Sequence, residues 1–132
     1  MSLTLEQMKA NRKLWVEALR SGKYRQDREH LNTRAGMCCL GVLCDVAGLP
    51  WTEEGGGIFS TADGETKVAP AFAKEFVGLR DNCGGFQDHD ADEDTAYHQE
   101  LVELNDSGIS FQEIADIIES EPPGLFVEAV AP

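Results

Sequence analysis

Leu5, Met8, Trp15, Val16 and Leu19 recur at the spacing of one helical face. Thr4 and Gln7 read as a capping box, Leu3 and Met8 as a hydrophobic staple, and Ser21–Gly22 as a stop. This pattern predicts a helix from Thr4 to about Arg20, with Trp15 as its core anchor. The polar run "KYRQDREHLNTRAGMCC" follows and predicts a short hairpin. Tyr24 and Leu31 should point inward, with Met37–Cys39 on the return strand. In "CCLGVLCDVAG", Leu40, Leu43, Cys44 and Ala47 make one helical face, and Cys39, Val42 and Val46 make a second. A helix apolar on two faces belongs at the centre of a small domain. It is expected at about 39–47, closed by Gly48 with Pro50 just beyond. Its third face (Cys38, Gly41, Asp45) is small enough to admit another backbone or a ligand.

The second half is less regular. "WTEEGGGIFSTADGETKVA" reads as a Gly-rich loop or a second hairpin, with Ile58, Phe59 and Val68 as apolar contacts and Asp63–Gly64 as the turn signal. Pro70 opens a helix whose apolar stripe is Phe72, Phe76 and Val77 and whose end is Gly78. Residues 81–99 read as an exposed acidic loop. Apolar spacing resumes at Leu101, Val102 and Leu104, and Asn105 and Asp106 read as turn formers. The last helix has its own capping box (Ser110, Glu113) and staple (Ile109, Ile114), and Phe111, Ile114, Ala115, Ile117 and Ile118 form its buried face. Pro122–Pro123 stop it, leaving residues 122–132 as a tail that is a docked strand or loose. The sum is a single domain over 1–132 of α+β class. Three to four helices surround the 39–47 helix, with one or two short β-hairpins.

Composition narrows the setting. The 132 residues are 42% apolar, enough for an ordinary core burying about two-thirds of the unfolded surface. No apolar run approaches the roughly 20 residues that span a bilayer, and the first residues read as a helix start rather than a signal segment. A soluble, cytoplasmic protein without membrane contact is expected. Cys38, Cys39, Cys44 and Cys83 do not form a disulfide framework and read as free, mostly buried thiols. The net charge is −13, and it is uneven. Residues 1–34 hold eight of the eleven basic residues and four acids; the remainder holds twenty acids against Lys67, Lys74 and Arg80. Such a surface excludes direct DNA binding over most of its area. It leaves two partner types, a small anionic ligand at the N-terminal arginines or a basic protein on the acidic part; homo-oligomerisation stays open.

Candidate chemistry is sparse. Arg20, Arg25 and Arg28 with Tyr24 make the best ligand-like patch, since guanidinium groups grip phosphate bidentately and a Tyr ring stacks on a base. The competing reading is a solvated hairpin with its charges on Asp27 and Glu29. Asp45 is an acid on the most buried helix and needs a partner, an arginine of the hairpin or a backbone amide near Leu104–Asp106. Asn105 and Asp106 form a turn or line a pocket beside it. The cysteine spacing is wrong for structural zinc, and no Cys–His pairing marks a nucleophile. Asp88, Asp90, Asp92 and Asp94 alternate like the first ligands of a calcium loop, but Glu93 stands where glycine is required and Gln99 where a bidentate glutamate belongs. A solvated acidic loop is the better reading, and no metal or cofactor is expected. The glycines at 55–57 lack the lysine and helix of a phosphate loop.

Three blocks, "W-x-x-A-L-R-S-G-x-Y-x-Q" at 15–26, "CCLGVLCD" at 38–45 and "LNDSGISFQEIADIIE" at 104–119, resemble a group of small uncharacterised proteins of tailed bacteriophages and prophages. The resemblance covers roughly residues 9–119 and departs mainly in the acidic insertion around 81–99. It implies a phage accessory protein in the bacterial cytoplasm and carries over no catalytic residue. The expected function is therefore non-catalytic binding, as counter-defence that sequesters a nucleotide-type signal. The alternatives are an acidic mimic or inhibitor of a basic host protein and, third, a Cys-dependent enzyme using Cys38 or Cys39.

Overall fold

Thr4 caps the first helix in the computed structural model, which describes residues 3–87 and 98–127. Its hydroxyl accepts the Gln7 backbone N–H at 3.1 Å, and the Gln7 side chain accepts the Thr4 N–H at 2.9 Å. Helix α1 then runs over Leu5–Arg20 and buries Met8, Arg12, Trp15, Val16 and Leu19. Steps of three and four along this stripe keep every member on the inward face. Trp15 is fully buried, and its indole N–H donates to the Cys39 carbonyl at 3.0 Å.

The hairpin forms from β1 (Asn32–Thr33) and β2 (Gly36–Met37). The return strand stops at Met37. Cys38 is the N-cap of α2 and Cys39 its first residue, so the cysteines leave the strand for the helix. Helix α2 spans Cys39–Val46, and every residue from Cys39 to Cys44 is buried. Its small-residue face does admit a backbone: a Cβ on Gly41 would lie 1.8 Å from the Leu31 carbonyl oxygen.

A second hairpin joins β3 (Thr52–Gly55) to β4 (Ile58–Ser60). Its turn is the glycine triplet, not Asp63–Gly64. Gly55, Gly56 and Gly57 all take positive φ, a region that L side chains rarely enter. Gly64 instead closes a separate turn onto the Thr61 carbonyl. The four strands form one antiparallel sheet in the order β2-β1-β4-β3, with Asn32 opposite Met37 on one side and Phe59 on the other.

Helix α3 (Ala71–Val77) begins after Pro70 and ends at Gly78. The expected stripe is rotated. Ala73 and Val77, one turn apart, are the buried pair, and Phe72 is 57% exposed. A seven-residue helix presents one narrow face, and a step of about 100° carries Phe72 off it. Within the span read as an acidic loop, β5 (Gly85–Gln87) pairs with β6 (His98–Glu100), and Phe86 is buried; residues 88–97 lie outside the described residues. Helix α4 (Leu101–Asp106) leads to α5 (Phe111–Ser120), which Ser110 caps. The described residues thus hold five helices, α2 and four others, with two small antiparallel sheets, the α+β class expected. Asn105 and Asp106 are helical, not turn residues.

The tail is docked as far as Val127. Glu121 leaves α5 in the left-handed region, and Leu125 and Phe126 are buried. Arg80 N–H donates to the Leu125 carbonyl and Val127 N–H to the Gly78 carbonyl. Arg12 clasps this segment from α1. Its guanidinium donates to the Val77 carbonyl at 2.6 Å and to Glu121 at 2.5 Å, and lies 4.0 Å from the centre of the Phe126 ring. Helix α1 packs against α2, α3 and α5 and is the spine of the domain.

Candidate functional site

The three sequence blocks meet at the start of α2. Asn105, fully buried on α4, accepts the Cys39 backbone N–H at 3.2 Å and the Gln26 amide at 2.9 Å through one oxygen. Its own amide donates to the Asp27 carbonyl at 2.8 Å. Gln26 also donates to the Ile109 carbonyl at 2.7 Å. Asp106 accepts the Glu29 backbone N–H at 2.8 Å, which holds Glu29 at a φ of 70°. Thr33 hydroxyl and Arg28 backbone N–H both donate to the Asp27 carboxylate. These bonds keep Asp27 protonating below the usual aspartate range, the Thr33 bond contributing most. The 25–37 hairpin is therefore fastened to α4 by side chains, and the Asn105 carboxamide is bonded through both its oxygen and its nitrogen. Gln26 is the member that sequence reasoning missed. Asn105 carried a readable signal, since it lies four residues after Leu101 and so shares its buried face.

Asp45 takes neither of its expected partners. The Tyr24 hydroxyl donates to one carboxylate oxygen at 2.6 Å, and the Trp51 indole N–H reaches the other at 3.4 Å. Neither an arginine nor a backbone amide near Leu104–Asp106 is involved. Partial burial, followed by the bond to Asp45, pushes the Tyr24 phenol up to about 12.

The predicted ligand-binding residues are thus split among several places. Tyr24 sits with Asp45, Asn105 and Asp106 sit with Gln26, and Arg28 reaches over Gly108. Arg25 is exposed, and its carbonyl accepts the Met37 N–H. Arg20 is drawn to α5, where it pairs with Asp116 at 2.6 Å and Glu119 at 2.9 Å.

Of that set Arg20 borders a groove. A groove of about 450 Å³ runs between α1 and α5, with Val16 and Ile118 among its lining and Lys9, Lys13, Arg20 and Glu119 along its walls. Beyond Arg12 it adjoins a smaller hollow of about 240 Å³ beside Pro122 and Phe126. Arg12 is spent on Glu121 and Arg20 on its two acids. Among the described residues, Lys9 and Lys13 have no ion-pair partner.

The thiols are chemically quiet. Burial pushes Cys38 up to about 11 and Cys44 up to about 12, and it drives Cys39 well above the usual thiol range. The backbone N–H groups of Leu40 and Gly41 pull Cys38 back only in part. Half-exposed Cys83 is raised to about 11, first by desolvation and then by Glu100. Negligible thiolate exists near neutral pH at any of the four. Among the described residues no group of three or more His, Cys, Asp or Glu is placed to hold a metal ion. The alternating acids Asp88, Asp90, Asp92 and Asp94 lie outside those residues. No helix there is long and apolar enough to cross a membrane.

A family model described as "Domain of unknown function (DUF8296)" matches residues 7–122, a span that includes all three blocks. No curated protein and no solved structure matches the chain.

Proposed function

The chain belongs to the DUF8296 family, a domain of unknown function, and we propose that it works by binding a small anionic ligand of nucleotide type in the α1–α5 groove. One observation carries this reading: Lys9 and Lys13 stand without ion partners, among the described residues, beside a groove of about 450 Å³ in which Arg12 and Arg20 already engage Glu121 and Glu119. Its volume falls within the range of small-molecule sites. Val16 and Ile118 offer an apolar surface to a ring, and the two ammonium groups offer point charges to phosphate. On a chain of net charge −13, two unpaired cations one helical turn apart on α1 give this groove a local positive field. The raised thiol pKa values leave no nucleophile at the cysteines, which favours binding over a Cys-dependent reaction. The likeness to phage and prophage proteins supplies the setting: an accessory protein that removes a host nucleotide signal would act in the bacterial cytoplasm.

The test is a thermal-shift and calorimetric titration with mononucleotides, cyclic dinucleotides and ADP-ribose. At a ligand concentration about 100 times Kd, binding adds about 2.7 kcal/mol, a shift of several degrees for a domain of this size. Lys9→Glu with Lys13→Glu should abolish the shift. A flat response across the panel overturns the proposal.

A further inference from the structure

The four-stranded sheet has one covered edge and one open edge. At the covered edge, Met37 of β2 donates to the Arg25 carbonyl and accepts the Asp27 N–H, both at 2.8 Å. The segment ahead of the hairpin thereby continues the sheet by one bridge, Gln26 to Met37. At the other edge β3 pairs, among the described residues, only with β4, and all four of its residues are exposed. An unpaired row of backbone N–H and C=O groups is a template for a further strand. We propose that the open edge of β3, headed by Trp51 and Asp45, takes an extended basic segment of a partner protein as an added strand.

Charge decides the occupant. Strand β3 carries Glu53 and Glu54 in succession. A second copy of this chain pairing antiparallel on that edge would set these acids against their counterparts, and like charges across a strand pair are destabilising. The pairing also slips between Glu53 and Gly55, from Glu53–Phe59 to Gly55–Ile58, and such a bulge twists an edge away from flat self-association. A lysine-bearing strand meets no such repulsion. Glu53 has one cationic neighbour, Arg34 at 3.2 Å, and both side chains are exposed, so a partner's lysine competes on equal terms.

The residues ahead of β3 supply anchors. Trp51 and Tyr24 are half-buried, and both donate to the Asp45 carboxylate. Both donors are neutral, and the carboxylate has no ion pair among the described residues. Trp and Tyr are the side chains that most often anchor an interface. The Lys23 ammonium already lies 5.4 Å from the centre of the Tyr24 ring, so this aromatic pair tolerates a lysine-type cation at its surface. The acidic surplus of residues 35–132 would draw a basic chain from a distance. Main-chain pairing would supply affinity, and alternate side chains would supply selectivity.

The experiment is an NMR titration of the intact protein with a short unstructured peptide that alternates lysine and valine. Its glutamate–valine counterpart is the control. Shifts confined to the Thr52–Gly55 amides and the Trp51 indole, slower hydrogen exchange along β3, and no response to the acidic peptide are expected. Glu53→Lys with Glu54→Lys should weaken binding by about tenfold or more. Both positions are exposed, but Glu54 also accepts the hydroxyl of buried Ser60, so Glu53→Lys alone is measured beside the double variant and should weaken binding in the same direction. Absence of shifts at millimolar peptide, shifts elsewhere on the surface, or undiminished binding by the charge-reversed variant overturns the proposal. Concentration-dependent pairing of β3 with itself, without peptide, overturns the choice of occupant.

Discussion

Asn105 on α4 accepts the backbone N–H of Cys39, the first residue of α2, at 3.2 Å. A helix begins with unpaired N–H groups, and here a residue 66 positions away closes one of them. Cys38, at the N-cap, makes no side-chain cap bond. The start of the central helix therefore depends on α4. Asn105→Ala would leave the Cys39 N–H and the Asp27 carbonyl without this partner and open a small void. Each buried polar group left unpaired costs about 1–3 kcal/mol, so a loss of roughly 3–4 kcal/mol is expected. Urea denaturation measures it. A loss under about 1 kcal/mol, within the scatter of ordinary surface changes, would show that the bond is idle.

Gly41 and Gly48 separate close packing from backbone conformation. A methyl group at Gly41 meets the Leu31 carbonyl, whereas nothing lies within 4 Å of one at Gly48. Gly41→Ala should cost about 3 kcal/mol or more, the upper end for overpacking, because the obstacle is backbone. Gly48 has a φ of 80°, so Gly48→Ala should cost only the left-handed strain of about 1 kcal/mol. Thermal unfolding of the two variants should rank them in that order.

Tyr24 should titrate late. Its phenol is raised to about 12 from an ordinary value of 10.0. A group with a raised folded value contributes stability that is full below its unfolded pKa and disappears as the pH climbs through the folded one. The Tyr24–Asp45 contribution is thus complete below pH 10 and lost on the way to about 12. Ultraviolet titration should show a late phenol step that Asp45→Asn moves down in pH. An unmoved step would mean that burial alone sets it.

The thiols should resist alkylation in the folded protein. Cys83, half-exposed, is expected to react first yet slowly at pH 8, since its thiol is raised to about 11. Cys38, Cys39 and Cys44 should react only after denaturation. Intact mass after timed iodoacetamide treatment counts the modified sites. Rapid native modification of Cys38 or Cys39 would revive the nucleophile reading.

The helices were legible where their signals are local. The Thr4–Gln7 box, the Ser110 cap and the Gly78 stop each involve residues about one turn from what they cap. The α2 core was legible from its double apolar face, and Gly41 from the small residues on the third. At Phe72 the sequence pattern and the structure differ, because the seven residues of α3 are too few to set the phase of an apolar stripe. Asn105 and Asp106 have the local preference of turn formers, and tertiary partners override that preference.

What the sequence by itself determined is the long helices and the apolar faces that must come together, because helical period, caps and stops are properties of neighbours in the chain; the β5–β6 pair carried no such local signal. What only the tertiary structure decided is the use of the polar groups. Asp45 was recognised as needing a partner, but that partner is Tyr24 and not an arginine. Arg12 spans 109 residues to Glu121, Gln26 spans 79 to Asn105, and Arg20 joins α5 rather than a phosphate clamp. Such bonds require alignment within a few tenths of an ångström between distant segments. Residue type and spacing carry no information at that scale. Core packing, driven by non-directional apolar burial, brings those segments into register, and only then is each donor matched to its acceptor.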